Sequence, residues 1–277
     1  MQRLTNNPSS AVYRITTAEP STRSLIIKLY RGRACWRAKR EDEALQHLGS
    51  LPTTFSVPAV AGRVAVPGTD IIALVTEDMG EHHLHHAVQK GQVPRMTALN
   101  NAGELLTAFH QLPLYESAVA APPLAQRLTS LAARLPESMR LATADAFVEA
   151  ISLVAGRPAV LCHGDLHLHN IVTHRLHDSH GLAVIDFEEI GLAVPEWDLA
   201  QTAVTTDACA NADLEQLLAA YAHPVDTALL AHLTTVQCVR GWYYACRGEG
   251  RDEALWRRRL SLSFSTAHAS APLEGHT

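Results

Sequence analysis

Apolar and β-branched positions crowd residues 12–16 and 24–30, with the turn-forming Ala18, Glu19, Pro20 and Ser21 between them, a pattern that predicts a β-hairpin. After Arg31, Gly32 and Arg33 the period changes. Ala38, Glu41, Leu45 and Leu48 recur at three- and four-residue steps, predicting a helix over 34–48. Strand-like runs return at 59–66 and 71–76, so a small β-rich unit is expected to end near Gly80. From Glu81 onward the pattern is helical: 97–112, 124–135 and 142–155 carry apolar residues at helical spacing and are bounded by proline. Two short apolar strands, 159–162 and 182–185, flank a polar segment, and 197–277 is again mostly helical. No internal repeat or low-complexity tract interrupts this order. The expected class is α+β, with a small β-rich N-lobe over 1–80, a larger mostly helical C-lobe over 81–277, and a ligand cleft between them.

Composition narrows the class. The chain has 277 residues, 47% hydrophobic against 18% charged, enough to build an ordinary core. No apolar run approaches the roughly eighteen residues of a membrane span, and Met1, Gln2, Arg3, Leu4, Thr5 and Asn6 lack the apolar core of a signal peptide. A soluble cytoplasmic protein without a membrane partner is expected. Five cysteines form no CxxC pair and read as reduced thiols. A net charge of −5 argues against a general nucleic-acid binder, whose affinity would rest on neutralising phosphates. The charge is unevenly placed: residues 176–239 hold ten acids and no Lys or Arg, whereas 240–259 hold six arginines against three acids.

The segment from Leu161 through His163, Gly164, Asp165, His167, His169 and Asn170 to Val172 reads as strand, tight polar loop, strand. A following hairpin would bring Asp186 alongside Asp165 and Asn170. Two carboxylates and an amide at one sheet edge supply hard oxygen ligands for Mg²⁺ and leave one carboxylate as a base, an arrangement suited to phosphoryl transfer. Singly, each of these residues could be a loop cap. His163, Asp165, His167 and His169 could alternatively be the ligands of a zinc hydrolase, although the first eighty residues lack the repeated strand–helix units such a barrel needs. His82 and His86 stand four apart on a potential helix, an adequate metal spacing without an evident third ligand. Lys28, one of three lysines, sits inside the apolar run Leu25, Ile26, Ile27, Leu29, where an ammonium needs an anionic partner unless the strand is an edge.

HGDLHLHN (His163 to Asn170), then Asp186 in VIDFEEIG sixteen residues later, then Trp197-Asp198-Leu199-Ala200, resembles the aminoglycoside phosphotransferase group. That group also includes choline, thiamine, homoserine and sugar kinases and shares the bilobal protein-kinase-like fold. The resemblance spans nearly the whole chain. It implies that Asp165 accepts or orients the proton of the substrate hydroxyl and that Asn170 and Asp186 hold Mg²⁺ bridging the ATP phosphates. It implies that His163 and Asp198 support the catalytic loop. It further implies that Lys28 pairs with the ATP phosphates and with a helix glutamate, for which Glu41 fits best and Glu43 is the fallback. Backbone groups near Thr76 and Asp78, at the hinge, would bind adenine. The sequence departs from the group in two places. The loop between the first strands, Thr5, Asn6, Asn7, Pro8, Ser9 and Ser10, has no glycine to let amides approach the phosphates, which favours a non-catalytic nucleotide-binding module as the rival. His169 stands where relatives often have glycine.

The acceptor is approached through charge. The acid-only stretch would attract a polycation, so an aminoglycoside-like or other antibiotic acceptor is expected, with Glu188 and Glu189 as candidate contacts. Glu188 directly after Asp186-Phe187 also resembles the choline and thiamine kinase side of the group, and a metabolite kinase is the alternative. Trp242, Tyr243 and Tyr244 could form a cation-binding wall, whereas Arg240, Arg247, Arg251 and Arg257 to Arg259 point toward an anionic acceptor. A protein substrate is not expected, because neither the HRD form of the loop nor an APE-type segment is present.

Overall fold

The computed structural model describes residues 1–6, 10–16, 24–119, 121–176, 179–209, 211–247 and 252–269. Its N-terminal region is an antiparallel sheet of β1 (Gln2–Asn6), β2 (Ser10–Ile15), β3 (Leu25–Arg31), β4 (Val60–Ala65) and β5 (Ile71–Glu77), in the spatial order β1-β2-β3-β5-β4. The expected hairpin is β2 and β3, registered so that Val12 faces Lys28 and Ser10 faces Tyr30. Its turn at 18–21 lies outside the described residues, as do positions 7–9 of the glycine-free loop. Thr5 and Asn6, expected in that loop, instead extend β1 by pairing with Val12 and Ala11 beyond a bulge after Arg3, and Ser10 already belongs to β2.

β3 lies between β2 and β5, with Lys28 opposite Val12 on one side and Leu74 on the other. Lys28 is therefore on a central strand, and the solvated-edge alternative is excluded. A short 3₁₀ turn, Gly32–Ala34, leads into α1 (Cys35–Gly49), whose buried face serves two cores. Ala38 packs with Tyr30 and Leu74 beneath the sheet, whereas Ala44, Leu45 and Leu48 join the main core of the helical region.

The helical part follows in order: α2 (Leu84–Gln89), α3 (Arg95–His110), α4 (Glu116–Val119), α5 (Leu124–Ala132), α6 (Glu137–Ala142) and α7 (Ala144–Val154). Pro94, Pro123 and Pro136 stand immediately before α3, α5 and α6, where a missing N–H costs no helical bond. The chain then forms β6 (Val160–Cys162), β7 (Ile171–Leu176), β8 (Ser179–Val184) and β9 (Gly191–Ala193), with β6 paired to β9 and β7 to β8. It ends in α8 (Pro195–Thr205), α9 (Asn211–Ala220), α10 (Thr227–Cys246) and α11 (Glu253–Ala269). The anticipated α+β architecture is thus present. His82 and His86 do not share a helix, because α2 begins at Leu84 and the residues before it are extended: the His82 carbonyl accepts from Thr173 and His83 bridges to Val172. Among the described residues no helix is long and apolar enough to cross a membrane.

α10 and α11 pack closely where Gly241 meets the Trp256 ring, and any Cβ at 241 would overlap that ring. Gly241→Ala is expected to destabilise the fold by about 1–3 kcal/mol, the typical cost of overpacking, read as a lower urea midpoint at constant m. An unchanged midpoint would mean that Trp256 can move aside freely.

Candidate active site

The segment joining β6 to β7 is held by one face of α8. Asp198, in the first turn of α8 and fully buried, accepts the backbone N–H groups of His163 at 2.7 Å and Gly164 at 2.8 Å, and lies 3.2 Å from the His110 ring. One turn on, the Gln201 amide donates to the Asp165 carboxylate and the Thr202 hydroxyl donates to the Leu166 carbonyl at 2.9 Å. Positions 198, 201 and 202 share a helical face, so α8 fixes four consecutive loop residues. Burial raises the pKa of Asp198, but the His110 ring, the nearby His163 and the Gly164 amide outweigh it and hold the carboxyl below the usual carboxylate range.

Within the loop Gly164 adopts φ +83° and lies against the Glu189 carbonyl, where a Cβ would overlap backbone, so both conformation and space require glycine. The buried His163 ring sits between the Ile185 carbonyl, 3.1 Å from Nε2, and the Asp165 N–H, 3.3 Å from Nδ1, which fits the tautomer protonated on Nε2. The Asn170 amide donates to the Asp165 carbonyl at 3.0 Å, tying the two ends of the loop together.

The sheet contributes a buried charge network. Lys28 Nζ lies 2.6 Å from Glu41 and 2.8 Å from Asp186. Glu41 also accepts from the Tyr30 hydroxyl at 2.7 Å and from the Phe187 N–H at 3.2 Å. Glu43 faces away, toward Lys39. Burial works against the charge of Lys28, but Asp186 and Glu41 overcome it and raise its pKa. Asp186 is likewise disfavoured by desolvation and rescued by Lys28, which leaves its pKa lowered. Its φ of +70° is uncommon for a residue with a side chain and is sustained by these contacts.

Lys28, Glu41, Asn170 and Asp186 line one cavity of about 640 Å³, with Thr76 and Asp78 on its hinge side and Val12, Ile26, Val172 and Ile185 as apolar walls. Asp78 is already engaged. Its amide donates to the Ser24 carbonyl, and its carboxylate takes Ser24 Oγ at 2.7 Å, the Gly80 N–H at 3.0 Å and Arg14 at 2.6 Å. Thr76 is buried in β5 between Ile26 and Val60.

Glu188 and Glu189 are both ion-paired. Arg37 of α1 reaches Glu188 at 2.9 Å and Glu189 at 3.1 Å, and Arg240 of α10 reaches Glu189 at 3.3 Å. Burial and the neighbouring Asp186 nevertheless push the Glu188 carboxyl up to about 8, against the pull of Arg37. The remaining acids of the Lys- and Arg-free stretch are largely matched too: Asp207 with Arg259, Asp213 with Arg95, and Glu196 and Asp226 with Arg157. The expected anionic wall is therefore neutralised by arginines from other segments. Trp242 and Tyr243 pack partly on the main core.

The histidines gather without forming the zinc cluster weighed as the alternative. Rings of His83, His85, His86, His167 and His169 touch in a chain, with His85 stacked on His169 at 3.7 Å, and burial plus mutual repulsion lower the His169 pKa to about 4. Among the described residues, three metal-type donors converge instead at His110, Cys162 and Asp198. That trio is sealed in the core, and Asp198 is committed to the loop. Gln201, Arg37, Tyr30 and His110 were not anticipated, and Arg240, expected among the arginines pointing toward an anionic acceptor, is found on Glu189. Only Gln201 left a trace in the sequence, as a polar position three residues after Asp198 in an apolar helix.

With this geometry in view, the comparisons with known proteins are decisive for the family. The family model described as "Phosphotransferase enzyme family" matches residues 1–232. The chain belongs to that family. No curated protein matches it in sequence. Among solved structures, the GDP complex of wild-type aminoglycoside 2'-phosphotransferase-IIIa superposes with a TM-score of 0.66 at 15% identity, covering 98% of this chain and 93% of the other. Amicoumacin kinase hAmiN, in complex with AMP-PNP, Ca²⁺ and Ami, gives 0.64 at 16% identity, covering 98% and 89%. Choline kinase LicA from Streptococcus pneumoniae gives 0.62 at 16% identity, covering 97% and 95%. At these identities the likeness is one of fold.

The Asp198 contacts carry a pH signature. Because its folded pKa lies below the unfolded value of about 4, the stabilisation it provides is present above that pH and is lost as pH falls through the folded value. Asp198→Asn is expected to lower stability by about 1.5–3 kcal/mol at pH 7, the worth of a hydrogen bond to a charged group, with the gap to wild type narrowing toward pH 3. Urea midpoints across that range check this, and a gap independent of pH would show that the charge of Asp198 contributes nothing.

Proposed function

We propose that this family member is an ATP- and Mg²⁺-dependent phosphotransferase that moves the γ-phosphate to a hydroxyl of a small molecule. The observation that supports this best is the meeting of Lys28, Asn170 and Asp186 on one cavity wall, with Asp165 fixed behind it by Gln201. An amide and a carboxylate form a hard oxygen donor set that fits Mg²⁺, and Asn170 and Asp186 are the residues that would hold it. When bound, the ion neutralises charge on the phosphate oxygens. The nucleotides named with the solved neighbours, GDP and AMP-PNP, agree with a nucleotide in the 640 Å³ cavity.

The chain's own residues supply positioning and proton transfer. Lys28, held by Glu41, directs its ammonium at the phosphates, and residues 1–80 form the nucleotide lobe. Asp165 takes the proton of the acceptor hydroxyl as the acceptor oxygen bonds to the γ-phosphorus and the bond from that phosphorus to the β-γ bridging oxygen breaks, releasing ADP. Gln201 fixes one oxygen of the Asp165 carboxylate, while His167 lies 3.8 Å from the other. His163 and Asp198 hold the loop backbone. Base recognition falls to the backbone beyond Asp78, since the Asp78 amide is spent on Ser24.

For the acceptor, an aminoglycoside-like or other antibiotic rests on the acid-only stretch and on the fold neighbours. A metabolite acceptor is the second reading. It is favoured by the ion pairs that neutralise those acids and leave Glu188 and Glu189 bound to Arg37 and Arg240.

Asp165→Ala is expected to reduce kcat by about 10²–10⁴, the usual share of a positioned base, while MgATP affinity stays at the wild-type value by calorimetry; an intact rate would remove Asp165 from this role. Asp186→Ala should abolish the Mg²⁺-dependent part of nucleotide affinity. Equal ATP binding with and without Mg²⁺ in wild type and variant alike would count against the metal assignment.

A further inference from the structure

A second pocket of about 330 Å³ is bounded by α1, α5, Glu189, Trp197 and α10. Its lining holds four arginines, Arg40, Arg127, Arg134 and Arg240, and one carboxylate, Glu189. That carboxylate is already shared by Arg37 and Arg240. Arg127 and Arg40 have no carboxylate within ion-pair distance among the described residues. Arg127 lies over the Trp197 ring at 5.1 Å and reaches only the Leu192 carbonyl, at 3.3 Å, and Arg40 lies over the Trp36 ring at 4.3 Å. Burial lowers the pKa of both, with Arg240 adding to the effect at Arg127, and Glu189 offsets it only in part. Trp197, itself 3% exposed, carries an indole N–H with no acceptor among the described residues.

The pocket is joined to the reacting end of the site through Arg240, which is 9% exposed, donates to the Gly164 carbonyl at 3.4 Å, and lies one residue from Asp165. A concave, arginine-rich, aromatic-walled pocket is suited to a carboxylate or phosphate, which guanidinium groups bind by charge-assisted, often bidentate hydrogen bonds. Its volume matches a molecule of monosaccharide size.

We infer that this pocket anchors the acceptor, and that the acceptor is a small hydroxyl compound carrying a compact anion, carboxylate or phosphate, bound by Arg40 and Arg127 with its hydroxyl directed toward Asp165. The inference rests on the phosphotransfer reading for the identity of the bound molecule as acceptor, but not for the anion site itself. A polycationic aminoglycoside would meet an excess of like charge there.

The test is calorimetry on the full chain with ADP and Mg²⁺, using glucuronate and glucose 6-phosphate as anionic probes, glucose as the neutral probe and kanamycin as the cationic one. At least one anionic probe is expected to bind more tightly than glucose and kanamycin, and the comparison of glucuronate with glucose 6-phosphate tells carboxylate from phosphate. Arg127→Gln and, as the less buried second variant, Arg40→Gln should each weaken the preferred anion about tenfold to a hundredfold, the equivalent of one charge-assisted hydrogen bond. Arg257→Gln, at an exposed α11 arginine paired with Glu253, should leave it unchanged. Kanamycin binding as tightly as either anion, absence of anion binding, or equal anion affinity in all three variants would overturn the proposal. MgATP binding by the wild type is measured separately. Its absence would overturn the phosphotransfer reading while leaving the anion pocket judged on its own arm.

Discussion

A lysine in the middle of a β-sheet has to be neutralised, and the arrangement around the active site follows from how Lys28 is neutralised. Taking an ammonium and a carboxylate out of water is repaid only when their geometry is good and their remaining hydrogen-bonding capacity is used. Glu41 meets both conditions by accepting from Lys28, the Tyr30 hydroxyl and the Phe187 N–H at once. Those three donors come from β3, from β3 again and from the segment after β8. One carboxylate on α1 therefore ties the sheet to the part of the chain that carries Asp186. Asp186, more exposed than Glu41 and in a left-handed backbone conformation, is the more readily exchanged partner of the lysine. In the proposed phosphotransfer, phosphates would take its place on Lys28 without opening the Lys28–Glu41 pair.

The loop between β6 and β7 solves a different problem. A tight turn between two strands leaves backbone amides pointing inward, and a buried amide without a partner costs free energy comparable to a lost hydrogen bond. Asp198 answers two of those amides with one carboxylate, and the His110 ring completes the coordination of that carboxylate. The same helix then holds the Asp165 side chain through Gln201 and the loop carbonyl through Thr202. Because one rigid helix supplies all three contacts, the position of the proposed base depends on the register of α8, which Pro195 starts and the buried Trp197, Leu199 and Ala200 fix against the core.

What was legible in the sequence follows from the range of the interaction that decides each feature. Periodicity is local, and the hairpin of β2 and β3, helix α1, β4 and β5, and the long helices α3, α5 and α7 were all visible in it. Features set by pairing were not. Thr5 and Asn6 have loop-like composition but extend β1 because β2 offers partners across a bulge. His82 has helical spacing to His86 but is drawn into an extended segment by Thr173 and Val172. The motif residues Asp165, Asn170, Asp186 and Asp198 could be singled out because their order along the chain is itself the signal. Gln201, Arg37 and His110 act only through neighbours that lie 36, 151 and 88 positions away, respectively, and no local pattern marks such partners.

The clearest divergence concerns charge, and its cause is geometric. Ten acids in a stretch without a cation form an excess along the chain, yet an electrostatic field depends on distance in space, and at physiological ionic strength it fades over about 8 Å. Arginines from α1, α3, α10 and α11, and Arg157 after α7, fold onto that stretch and pair with most of its acids. The imbalance that survives has the opposite sign. It lies in the pocket lined by Arg40, Arg127, Arg134 and Arg240, where Arg40 and Arg127 have no carboxylate within ion-pair distance among the described residues. Charge counted along the chain therefore gives poor guidance to the charge of any one pocket. The charge left around a single pocket, once its local ion pairs are taken out, is what a molecule entering that pocket meets, and around Arg40 and Arg127 it is positive.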